Sequence, residues 1–67
     1  MTENKRKRAA WAAENLERCA MAAARAGHRS AASLWARAAE LYRAAGEYGL
    51  AQDAARCARM LGAVVAS

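Results

Sequence analysis

Apolar positions recur along this chain at steps of three and four, the spacing of one helix face, and glycines break the pattern into three stretches. The middle stretch is the cleanest. Ala31, Leu34, Trp35, Ala38, Leu41, Tyr42 and Ala45 share one arc, while Ser33, Arg37, Glu40 and Arg43 fill the other side. In the last stretch Leu50, Ala54, Cys57, Ala58, Leu61, Val64 and Val65 oppose Gln52, Arg56 and Arg59. The first stretch is less tidy. Ala9, Ala12, Leu16, Cys19, Ala20, Ala23 and Ala26 form a stripe of small residues, yet Trp11 and Met21 fall towards its back, beside Glu14, Arg18 and Arg25. A helix that is apolar on two sides is usually covered on both, so Trp11 and Met21 mark the expected self-association surface.

The breaks are equally informative. Gly27 and Gly46 stand where a left-handed residue closes a helix, and Ser30 stands where the next helix needs an N-cap. Thr2 or Asn4 is placed to cap the first helix, and Gly62 marks the last turn of the third. The pattern predicts helices over 3–26, 30–45 and 48–62. It implies an all-α fold, a three-helix antiparallel hairpin or bundle. Residues 1–8 form a basic segment merging into the first helix, 9–62 a single helical domain, and 63–67 a C-terminal tail.

Composition sharpens this picture. The chain has 67 residues, of which 22 are alanine and none is proline or phenylalanine. Only 14 larger apolar side chains remain beyond alanine and cysteine: five Leu, two Val, three Met, two Trp and two Tyr. Leu16, Leu34, Trp35, Leu41, Tyr42, Leu50, Cys57 and Leu61 are the expected core. A domain near ~60 residues buries only about 60% of the surface its unfolded chain exposes, so so small a core needs supplementing. Completion by a homodimer is the expectation.

Eleven Lys and Arg against six Asp and Glu give a net charge of +5. Lys5, Arg6, Lys7 and Arg8 form a run that reads either as a solvated tail or as a phosphate anchor. Gln52, Arg56 and Arg59 share one exposed face of the third helix, a modest match to a nucleic-acid reading face. The two cysteines, Cys19 and Cys57, are expected as small buried residues in a reducing cytoplasm, with a disulfide as the alternative. His28 is the one histidine, and neither a metal-ligand spacing nor a P-loop, dinucleotide, HExxH or EF-hand pattern occurs. The chain is therefore expected to use no metal or cofactor and not to be an enzyme. With no secretory signal and no stretch approaching ~20 apolar residues, a soluble cytoplasmic protein without membrane contact is expected.

A faint repeat runs through the second half. Gly27, Ala32, Trp35, Ala38, Ala39, Leu41 and Tyr42 recur 19 positions later as Gly46, Ala51, Ala54, Cys57, Ala58, Met60 and Leu61. The helix–turn–helix–turn–helix layout resembles a fragment of a tetratricopeptide array. The segment from Ala23 to Ala38, with its Gly27 break, polar His28-Arg29-Ser30, Ala31-Ala32 pair and Leu34-Trp35, resembles the ANR family of small bacterial regulators and the related PerC-like regulators. Arg56-Cys57 is similar to an Arg and Cys in their C-terminal halves. The resemblance implies a small cytoplasmic transcriptional regulator acting through protein–protein contact, and some regulators of this kind bind a nucleoid-structuring protein. Two alternatives stay open: a regulator that contacts DNA directly, and a plasmid- or phage-encoded inhibitor of a host protein.

Overall fold

The computed structural model describes the backbone of residues 3–66 and the side chains of residues 3–63. It contains three helices, α1 (Glu3–Arg25), α2 (Ala31–Ala44) and α3 (Tyr48–Ala66). Thr2, one of the two residues offered as a cap, and the Val64 and Val65 side chains lie outside the described residues. Gly62 does not end α3, which continues to Ala66 through most of what the sequence marks as a tail. One glycine inside a helix costs about 1 kcal/mol relative to alanine, too little to stop a helix flanked by good formers.

Both turns are built alike. Gly27 has φ +69 and Gly46 φ +81, the left-handed conformation that side chains with a Cβ rarely adopt. At the first turn the His28 N–H donates to the Ala23 carbonyl at 2.8 Å and the Gly27 N–H to Ala24 at 3.1 Å. At the second, Glu47 donates to Tyr42 at 2.9 Å and Gly46 to Arg43 at 3.0 Å. Each is a Schellman closure that satisfies the last carbonyls of its helix. Ser30 occupies the N-cap position of α2, but its side chain makes no capping bond and its backbone is already helical. It turns to His28 instead. The Ser30 N–H donates to His28 Nδ1 at 3.1 Å, and Ser30 Oγ lies 2.8 Å from the same atom. A backbone N–H can only donate, so Nδ1 is the acceptor in the bond from Ser30.

α2 is the middle helix. α1 and α3 each pack along it and touch one another only marginally. Glu17 and Tyr42 bond across the first pair from positions about equally far either side of the turn, the register of antiparallel neighbours. Nine side chains are buried among the described residues, and seven are alanine: Ala13 and Ala20 of α1, Ala31, Ala38 and Ala39 of α2, Ala51 and Ala54 of α3. Small residues at a contact let helix axes approach closely. Trp35 and Tyr42, 9% and 3% exposed, are the two large members of this core, and Leu16, Leu34, Leu41, Cys57 and Leu61 pack partly buried against it.

Three expectations need correcting. Leu50 is 46% exposed and is not core. At about 100° per residue it lies some 70° round α3 from the line of Ala51, Ala54 and Ala58 that meets α2. Cys19 is exposed rather than buried, while Cys57 is half-buried; both are free thiols. The buried line of α1 runs through Ala13 and Ala20, so Cys19 and Ala26 turn outward. Alanine on nearly every side of that helix gave no contrast by which to set its rotation.

Candidate functional site

Two surfaces stand out once the core is drawn. The first is the side of α1 turned away from α2. Trp11 is 69% exposed and Met21 46% exposed, as the sequence placed them. Lys7, Glu14, Arg18 and Arg25 lie exposed on the same side, so the apolar side chains are set among charges of both signs. Asn15 Nδ2 donates to the Trp11 carbonyl at 3.2 Å, a bond within the helix that leaves the indole untouched.

The second surface is a basic groove between α2 and α3. Gln52, Arg56 and Arg59 line it together, as expected from their shared helix face, and Ala55 lies among them. Arg43 enters from α2 and completes the lining. The sequence left Arg43 on the polar side of its own helix, because only the packing of α2 on α3 brings it to the others. Three guanidiniums around a shallow trough present planar donors of the kind that grip phosphate oxygens.

Lys5, Arg6, Lys7 and Arg8 do not line this groove. They sit exposed in the first turns of α1, where Glu3 is the acidic residue of the opening turn. Cations near that end oppose the helix dipole, an effect that fades beyond the first turn. An anion drawn to this end would offset that repulsion.

Polar chemistry elsewhere is sparse. The Tyr42 hydroxyl donates to Glu17 Oε2 at 3.0 Å, a part-buried bond that ties α1 to α2. Burial, the bond to Glu17 and the negative charges of Glu17, Glu14 and Glu47 push the Tyr42 phenol up to about 12. His28 and Ser30 form an exposed pair two residues apart, and their contact closes a turn. A small notch lies between this turn and α3, lined by Ala24, Gly27, Ala32 and Leu61 together with His28 and Arg29. Among the described residues no three His, Cys, Asp or Glu side chains gather closely enough to hold a metal ion. No described helix is long and apolar enough to cross a membrane.

Three more large apolar side chains, Tyr48, Leu50 and Met60, are exposed on α3. The repeat paired Met60 with Leu41, and nothing else in the residue pattern marked it as facing outward. Compared with known proteins, the chain matches no family model, no curated protein and no solved structure.

Proposed function

We propose that this protein is a small helical regulator that works by protein–protein contact, self-associating through the outer face of α1. The observation that carries the reading is the 69% exposure of Trp11 in a molecule whose core is nearly all alanine. A chain with so few bulky apolar groups leaves one of its two tryptophans in water, and burying an indole is among the larger gains an interface can make. Transcriptional regulation in the cytoplasm, with a nucleoid-structuring protein as the second partner, is the setting that the ANR and PerC resemblance supplies. Trp11→Ala is expected to lower the dimer fraction in light scattering at micromolar concentration while helicity by circular dichroism is retained. An unchanged dimer fraction removes α1 from the interface.

The groove favours a second reading, direct contact with nucleic acid. Arg43, Arg56 and Arg59 would each neutralise a phosphate, with Gln52 beside them. Affinity for duplex DNA is then expected to fall with salt at a log–log slope of roughly −0.9 per phosphate contacted. Arg43→Ala should make that slope shallower by about one and weaken binding evenly across sequences. Absence of a complex at low salt eliminates this reading.

A further inference from the structure

Resting on the self-association reading, we infer that the outer face of α1 pairs with a second copy of itself, antiparallel, about a two-fold axis level with Leu16. Lys7, Trp11, Glu14, Arg18, Met21 and Arg25 follow one another at steps of four, three, four, three and four, and all six are exposed. This alternation is the 3.5-residue period of a coiled-coil seam, and at about 100° per residue the six fall within an arc of about 80°. α3 does not cover this face, since it packs on α2 and meets α1 only marginally.

The order of residues along the seam chooses the partner and its direction. In an antiparallel pair, residues equally far either side of Leu16 face each other. Trp11 then meets the partner's Met21, and Met21 the partner's Trp11, a thioether against an aromatic ring in both halves. Between these two apolar layers Glu14 meets the partner's Arg18, and Arg18 the partner's Glu14. The face is thus complementary to itself in charge and in apolar content, which an interface with two-fold symmetry requires. A parallel pair would stack Glu14 on Glu14 and Arg18 on Arg18, two like-charge layers at the centre. Lys7 opposes the partner's Arg25 at each end of the antiparallel seam, where long stems let both charges reach water.

Charge exchange tests the direction. In sedimentation of the full chain under reducing conditions, Glu14→Arg is expected to weaken the dimer by roughly tenfold or more, because both central layers become repulsive. Adding Arg18→Glu should return the dissociation constant to within about threefold of the parent, since the exchanged charges meet again. Both positions are exposed, so circular dichroism should show the helices intact in every variant. Cross-linking gives an independent readout in a Cys19→Ser, Cys57→Ala background. A mixture of Glu14→Cys and Arg18→Cys chains should form disulfide-linked heterodimers, and neither variant should link to itself. Self-linking of each variant alone would establish the parallel arrangement and overturn the proposal. A dimer that Trp11→Ala weakens but Glu14→Arg does not would overturn the antiparallel pairing while leaving self-association in place. A parent chain that is monomeric at all concentrations would remove both.

Discussion

Replacing Trp35 with alanine is expected to leave the chain largely unfolded at 25 °C. Truncating a buried tryptophan costs about 3–5 kcal/mol, and a domain of this size holds roughly 3–10 kcal/mol in total at 0.05–0.15 kcal/mol per residue. The loss should fall at the severe end of its range. Trp35 is the largest side chain in the core, and its buried neighbours, apart from Tyr42, are alanines that have no side-chain length with which to fill a void. The check is thermal unfolding followed by circular dichroism, with Trp11 retained as a fluorescent reporter. Trp11→Ala is the comparison, because it removes an exposed indole and acts on stability only through the dimer it disfavours, an effect that dilution of the parent chain reproduces. A Trp35→Ala variant melting cooperatively within a few degrees of the parent would show that the alanine contacts hold the helices together unaided.

Alkaline solution should destabilise the protein through Tyr42. The phenol ionises near 10 in the unfolded chain and at about 12 in the folded one, so the neutral form is the one that folding favours. Below pH 10 both states keep the proton and the stabilisation is complete. Between pH 10 and 12 the unfolded chain loses its proton first, so stability falls by on the order of 1 kcal/mol by pH 11 and levels off above pH 12, once both states have lost the proton. For a domain of this length that corresponds to a drop of roughly 4–8 °C in Tm at pH 11. Tyr42→Phe has no proton to lose and serves as the reference. Its Tm should fall less than the parent's between pH 8.5 and 11, although it starts lower for want of the bond to Glu17. Parallel falls in the two proteins would place the alkaline sensitivity elsewhere.

The parts of the fold legible in the sequence are those where residue chemistry leaves little choice. Gly27 and Gly46 had to be left-handed stops, and both are. The middle helix could be oriented because Leu34, Trp35, Leu41 and Tyr42 contrast with Arg37, Glu40 and Arg43 around it. The first helix could not be oriented as well, since alanine occupies positions on nearly every side and pattern alone cannot say which alanines touch a neighbour. Leu50 reads as core by type, and only the position of α2 beside α3 exposes it. The functional surfaces divide in the same way. Trp11 and Met21 were visible as apolar residues on a polar face, and Gln52, Arg56 and Arg59 as one side of a helix. Arg43 joins them through the packing of two helices, and Ser30 prefers the His28 ring to the helix end it was expected to cap.

Because α1 and α3 each lean on α2 and barely meet, nearly all of the tertiary structure links segments adjacent in the chain. Each helical pair is closed by a turn of a few residues, so little loop entropy must be lost before packing begins to repay it. Chains with such local wiring collapse quickly, in microseconds to milliseconds, and offer few long-lived half-formed species to aggregate.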